Sequence, residues 1–328
     1  MIIENLLQSI REEKNIKATR EGFGEALLEM GSDERVMAIC ADLTESVQMH
    51  RFREAYPARF LEVGIAEQNM AAVASGLASQ GMIPFMASYA AFNPGRNWEQ
   101  IRTTICYNNQ KVIVVGAHAG LSVGPDGGTH QALEDIALMR VLPNMTVLSP
   151  ADAVEAKALT KLAKEIPGPV YIRLAREKSP IIFSDNYKPT IGKPEIVFVS
   201  KVESAKKLGI IVTGPILAEA LLAAEELERQ NISVSVMNIH TIKPIDESAI
   251  IRFANTNKTI LTVEESQVAG GLGSAISEIL SIHRPTHMSM LGVQNRYGQS
   301  GTKKELYKEY EIDADAIIQA GKELSHKI

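Results

Sequence analysis

Short runs rich in β-branched residues alternate along this chain with alanine-rich stretches of helical length, and that alternation restricts the fold more than any other feature. It is the pattern of parallel strands joined by crossover helices, since a strand covered by helices on both sides must be apolar on both faces. In the first half the expected strands are residues 35–41, 60–63, 111–117, 146–149 and 170–174. The spacing predicts helices over 66–80, stopping at Gly81, and over 151–164, stopping before Pro167. Residues 177–195 carry Pro180, Pro189 and Pro194 among Ser, Asp, Asn and Gly without sustained periodicity, which marks a linker. Beyond it the alternation restarts with a strand at 208–213, a Gly214-Pro215 turn, a helix at 217–230, and strands at 234–239 and 258–263. The fold class expected is therefore α/β, with two doubly wound domains at 1–190 and 191–328, the second being smaller.

Length supports two cores, because 328 residues exceed what one average domain needs. A net charge of -5 argues against a general attraction to nucleic acid or an anionic membrane surface. No apolar run approaches the roughly 18 residues of a membrane helix, and residues 1–15 read as neither signal peptide nor anchor. Cys40 and Cys106 stand alone in apolar stretches, so a disulfide framework or zinc site has little support. A cytoplasmic location is expected.

The segment Val63-Gly64-Ile65-Ala66-Glu67-Gln68-Asn69-Met70 is a strand turning at glycine into a helix with an acid in its first turn. Glu67, Met70, Ala71 and Ala74 share a helical face, so the carboxylate points toward apolar packing, where burial favours its protonated form. A first-turn Glu that only complements the helix dipole accounts for the same spacing. Downstream, Tyr89 and Phe92 in Ser88-Tyr89-Ala90-Ala91-Phe92 are spaced for one helical face; they serve either as ordinary core or as a flat wall for a flat ligand. His118 in Gly116-Ala117-His118-Ala119-Gly120 ends an apolar strand. The glycine-rich Gly124-Pro125-Asp126-Gly127-Gly128-Thr129-His130-Gln131 follows it. Loops at the carboxyl ends of strands are where open α/β folds bind ligands, and His118, Asp126 and His130 offer hydroxyl recognition and proton transfer there. A metal site built from those three is a weaker reading of the same residues. Gly270-Gly271-Leu272-Gly273 lacks the spacing of a dinucleotide fingerprint and reads as close packing or a helix start.

The run Gly64-Ile65-Ala66-Glu67-Gln68-Asn69-Met70 resembles the pyrimidine-domain motif of the transketolase family, and the resemblance extends from about Ala18 to Ala320. It implies that Glu67 contacts the aminopyrimidine of thiamine diphosphate and stabilises its imino form, which then removes the thiazolium proton. Tyr89 and Phe92 are then the rings against the pyrimidine, and Asp42 lies near the cofactor. By the same resemblance Asp126 and His130 hold sugar hydroxyls near the reacting carbons, with His118 nearer the phosphate. Arg20, Ser46 and Arg176 match family positions that clamp a phosphate, for which guanidinium groups suit bidentate pairing. The blocks Ile242-Lys243-Pro244-Ile245-Asp246 and Thr262-Val263-Glu264-Glu265 resemble the family's C-terminal domain, which shapes interfaces rather than chemistry.

The resemblance covers the later two of the family's three domains. No Gly-Asp-Gly and Asn pair of the kind that fixes the diphosphate through a divalent metal is found, so no metal ligand is expected in this chain. The expectation is thus the C-terminal subunit of a split transketolase. An N-terminal, diphosphate-binding subunit holds Mg2+ or Ca2+ and shares the cofactor, in a dimer of heterodimers. The pair moves a two-carbon ketol unit between sugar phosphates. The alternatives are a 1-deoxy-xylulose-phosphate synthase-like enzyme, a 2-oxo acid dehydrogenase β subunit, or a noncatalytic binding subunit.

Overall fold

A computed structural model describes residues 2–325. Its first layer is a seven-stranded sheet in the order Thr241–Lys243, Thr146–Leu148, Val170–Arg173, Ile113–Ala117, Ile83–Tyr89, Val36–Cys40, Phe60–Glu62. All neighbours are parallel except the edge strand Thr241–Lys243, which the later part of the chain contributes antiparallel to Thr146–Leu148. The second layer has five strands in the order His287–Val293, Thr259–Gln267, Lys207–Val212, Ser233–Asn238, Glu195–Val199, of which only Glu195–Val199 is antiparallel. Both layers are α/β with helices on their faces, as the alternating pattern requires.

Every residue of Val36–Cys40 and Ile113–Ala117 is buried, which is why these strands read as unbroken apolar runs. The central strand Ile83–Tyr89 has no counterpart among the expected strands. Its sequence, Ile-Pro-Phe-Met-Ala-Ser-Tyr, opens with proline at its second position and contains little β-branched residue, yet six of its residues are buried. Burial on both faces between two neighbours overrides its weak strand propensity. Tyr89 is therefore the last residue of a strand and Phe92 lies in the turn beyond it, so the two do not share a helical face.

The proline-bearing segment after Arg176 is tied down at several points. Ser179–Pro180 pairs antiparallel with Ile16–Lys17. Asp152 caps the helix Ala153–Ala163 by accepting from Glu155 N at 2.8 Å, and its other oxygen accepts from Ile182 N at 2.6 Å and Phe183 N at 2.8 Å. One helical turn on, the Glu155 carboxyl receives Ala151 N at 2.7 Å, the Asn238 amide at 2.9 Å and the Tyr187 hydroxyl at 3.2 Å. Glu155 thus joins the helix, the connecting segment and a strand of the second layer.

Burial pushes Glu155 up to about 8, against the opposing effect of its donors. Asn238 Oδ1 is buried without a hydrogen-bond partner. In the unfolded chain Glu155 ionises near 4.5. A raised carboxyl stabilises the fold fully below the unfolded value and loses that contribution as pH rises through the folded value. Stability should therefore fall between about pH 5 and pH 8 by up to about 1.4 kcal/mol per pH unit from this group. Glu155→Gln should flatten the profile in urea unfolding across that range. Parallel profiles for the two proteins would place the pH dependence elsewhere.

Candidate active site

The carboxyl ends of the parallel strands Val36–Cys40, Ile83–Tyr89, Ile113–Ala117 and Val170–Arg173 open on one side of the first sheet, and the candidate residues follow them directly. Glu67 begins the helix Glu67–Ser79, whose inner face buries it with Met70, Ala71 and Ala74. The carboxylate is 1% exposed, yet its surroundings are not only apolar. Ser88 Oγ donates to Oε1 at 3.4 Å, and Arg96 Nη1 pairs with Oε2 at 3.0 Å. Asn97 Nδ2 donates to the Glu67 carbonyl and to Asn93 Oδ1, both at 3.0 Å, while Asn93 Nδ2 reaches Val115 O at 3.1 Å. These amides lock the 90–97 turn onto the strands and the helix start. The turn also needs Gly95, where a Cβ would lie 2.0 Å from the Ala91 carbonyl oxygen. Arg96 was not among the expected site residues. The Asn93-Pro94-Gly95 chemistry signals a turn, but not which carboxylate the following arginine meets.

Next to Glu67 stands a cluster of rings. Tyr89 stacks on His118 with centroids 3.9 Å apart and lies 6.3 Å from Phe92 at an interplanar angle of 18°. His130 presents its edge to Tyr89 at 6.1 Å and to Phe92 at 5.5 Å, and the Arg96 guanidinium lies 5.2 Å over the Phe92 ring. The two expected wall residues are thus joined by both histidines, and Arg96 links the wall to the buried glutamate.

His118 is almost fully buried in a left-handed conformation with φ of 53°, and its Nδ1 has no hydrogen-bond partner. Burial first, then the charges of Arg20 and Arg176, lower its pKa to about 3. It is a neutral imidazole facing cations, with an unsatisfied nitrogen free for a ligand. Arg20 donates through Nε to the Arg176 carbonyl at 3.2 Å and through Nη1 to the Ser46 carbonyl at 2.7 Å. Burial and then the charge of Arg176 lower its own pKa. Two guanidinium groups this close, beside a neutral histidine, favour an anion between them. Arg176 Nη1 meanwhile donates to Val123 O at 2.6 Å and pairs with Asp126 Oδ1 at 3.2 Å. Arg20 and Arg176 also line a cleft of about 760 Å³ toward the second layer, together with Lys303 and Tyr307.

The fold therefore brings Glu67, Tyr89, Phe92, His118 and His130 into one cluster joined through Arg96, with Arg20, Arg176 and Asp126 linked to one another beside His118. Ser46 joins Arg20 through its backbone. Asp42 stays apart: it is exposed with φ of 58°, and its N–H donates to Glu62 at 2.7 Å. Among the described residues no group of three or more His, Cys, Asp and Glu is placed to hold a metal ion, so His118, Asp126 and His130 do not form the metal site read as an alternative. The glycines at 270–273 serve a helix start: Leu272 N and Gly273 N donate to the buried Glu264 carboxyl at 2.9 Å and 2.8 Å.

Two outcomes follow from this geometry. The His118 ring signals should not titrate by nuclear magnetic resonance between about pH 5 and pH 8, whereas an ordinary histidine titrates near 6.5. A double-mutant cycle of Glu67→Gln and Arg96→Gln, read by urea unfolding, should give a coupling of about 1 kcal/mol, held down by the half-exposed arginine. A coupling indistinguishable from zero would mean the pair does not hold Glu67.

Residues 16–181 match the family described as transketolase, pyrimidine binding domain, and residues 199–317 match the transketolase C-terminal domain. The chain is 38% identical over 309 residues to the 6-deoxy-6-sulfo-D-fructose transketolase subunit SqwH of a Clostridium species, covering 94% of each chain. It is 37% identical over 306 residues to human transketolase, of which it spans 48%. In three dimensions it is similar to a split gene transketolase solved as an inactive beta4 tetramer, with a TM-score of 0.86 and 39% identity over 94% of this chain and 98% of that one. Sequence match and fold agree, and the chain belongs to the transketolase family.

Proposed function

We propose that this chain is the C-terminal subunit of a thiamine-diphosphate-dependent transketolase, working with an N-terminal, diphosphate-binding subunit to transfer a two-carbon ketol unit from a ketose phosphate to an aldose phosphate. The observation that carries the proposal is the buried Glu67 carboxylate beside the Tyr89 and Phe92 rings at the carboxyl ends of the parallel strands. The donor set suits the cofactor's aminopyrimidine: a carboxylate for a ring nitrogen and flat rings for a flat heterocycle. Bound thiamine diphosphate supplies the nucleophilic carbon and the electron sink of ketol transfer. Glu67 holds a proton at the pyrimidine nitrogen, and the rings orient the heterocycle and exclude water. His130 and Asp126 take the sugar hydroxyls near the reacting carbons. His118, with a free ring nitrogen, and the Arg20, Ser46 and Arg176 group take the anionic end.

The diphosphate and its Mg2+ or Ca2+ belong to the partner subunit in this reading, and the assembly is a dimer of heterodimers in the cytoplasm. Support comes from the relatives: one of nearly the same length is a transketolase subunit, and the split gene relative is inactive as a tetramer of one chain type. Human transketolase is about twice as long as the matching stretch. The division near residue 190 lies between the two family matches. A sulfonate presents the same anionic oxygens as a phosphate, so the subunit's relative adds 6-deoxy-6-sulfo-D-fructose to the substrates worth assaying.

The test combines the chain with an N-terminal-type transketolase subunit, thiamine diphosphate and magnesium, and follows ketol transfer from xylulose 5-phosphate. Activity should need both proteins and should drop about 10²- to 10⁴-fold in Glu67→Gln, the range for removing a positioned proton-transfer group. Transfer by this chain alone would overturn the split-enzyme reading. Decarboxylation of pyruvate by the mixture, without ketol transfer, would favour a synthase or oxo-acid dehydrogenase.

A further inference from the structure

The loop that carries Asp126 and His130 is held from the second domain at both ends. At its start, Ser122 donates to the Glu265 carboxylate twice, from N at 3.2 Å and from Oγ at 3.1 Å. Glu265 belongs to the strand Thr259–Gln267 of the five-stranded sheet and is itself fixed on three sides. The Tyr307 hydroxyl donates to its Oε2 at 2.9 Å, Arg173 Nη2 donates to its carbonyl at 3.2 Å, and Arg173 Nη1 lies 3.7 Å from Oε1. The approach is tight: a Cβ at Gly120, whose φ is +84°, would sit 2.7 Å from the Glu265 carboxyl carbon. At its far end, the two protons of Gln131 Nε2 are shared among Leu121 O at 3.3 Å, Gly124 O at 3.2 Å and Gln299 O at 3.0 Å, stitching the loop to itself and to the second domain. Ser122, Glu265 and Tyr307 are all buried, so water does not compete for these bonds.

We propose that the second domain sets the geometry of the sugar-binding loop, with Glu265 and Tyr307 as positioning residues that act through Ser122 on where Asp126 and His130 meet the substrate. The proposal rests on the reading of Asp126 and His130 as sugar contacts. It gives the second domain a part in substrate recognition beyond shaping interfaces. Glu265 and Tyr307 connect to the loop through Ser122 and have no bond to the Glu67 group, so their effect belongs in substrate binding and orientation and leaves the pyrimidine pocket unchanged.

The test uses Glu265→Gln and, because a buried charge change can hinder folding, Tyr307→Phe, which removes one hydroxyl and keeps the ring. Amide hydrogen exchange across residues 120–131 is measured on the full chain, and KM, kcat and thiamine diphosphate affinity on the two-subunit enzyme. In the folded variants, exchange in 120–131 should rise about tenfold or more and KM for the sugar phosphate should rise about tenfold, with thiamine diphosphate affinity unchanged. Unchanged exchange in folded Tyr307→Phe and Glu265→Gln would overturn the proposal, as would weakened cofactor binding that equals the loss in KM. Asp126→Asn separates the two layers of the reading. If it leaves KM unchanged, the assignment of the loop to the sugar falls, while the exchange data still judge the clamp itself.

Discussion

Arg173 is the residue on which the joining of the two sheets most depends. It ends a strand of the first sheet, is 4% exposed, and pairs with Asp135 at 2.9 Å on its own side and with Glu265 on the other. Burial alone would lower its pKa, and the two carboxylates more than reverse that, raising it above its ordinary value. A guanidinium buried with one carboxylate would leave donors unmet; here the Glu265 carbonyl takes one more of them, and Tyr171 donates to Asp135 at 2.7 Å. The Glu265 carboxylate therefore finds its cation only when both domains are in place. That makes the network a register device: sliding one sheet past the other would strand a buried charge.

The same network fixes the relation between two halves of the candidate site. Leu174, Ala175 and Arg176 follow Arg173 directly, and Arg176 reaches Val123 and Asp126. Glu265, on the partner side of the network, holds Ser122 at the start of that same loop. The anion-facing arginine and the loop that carries Asp126 and His130 are consequently positioned by one buried cation. The Glu67 end is built differently. Its geometry comes from short-range pieces, the strand ends and the Asn93 and Asn97 amides, which do not involve the second domain.

The sequence pattern made the fold visible where strands were apolar on both faces, as in Val36–Cys40 and Ile113–Ala117, because such runs have few other uses in a soluble α/β protein. It concealed Ile83–Tyr89, whose proline, alanine and serine lower local propensity and whose strand identity comes from the neighbours that bury it. Candidate site residues stood out through local motifs: Glu67 after a glycine turn, His118 at a strand end, Asp126 and His130 in a glycine-rich loop. The partners that hold them were not. Arg96 lies 29 positions from Glu67, and Ser122 lies 143 from Glu265, so no spacing rule links them. The Tyr89–Phe92 spacing suited a helix, and the rings approach each other instead because the chain turns at the end of a strand.

In the two-subunit reading proposed above, Arg96 bears on what each chain supplies. Glu67 is buried, its Oε2 pairs with a guanidinium that is itself half exposed, and its Oε1 takes only the 3.4 Å bond from Ser88, so the carboxylate is charge-paired and keeps acceptor capacity. A pyrimidine nitrogen that donates to Glu67 adds to this ion pair, with the Tyr89 and Phe92 rings as the flat wall beside it. The diphosphate end of the cofactor carries most of its charge, and a metal held elsewhere recovers far more electrostatic free energy than the pyrimidine end can. A chain with this pocket alone therefore has the residues to orient the heterocycle but little with which to retain it. In that reading retention by a partner's metal and orientation by this chain's Glu67 are separate tasks, which is what allows them to sit on two chains.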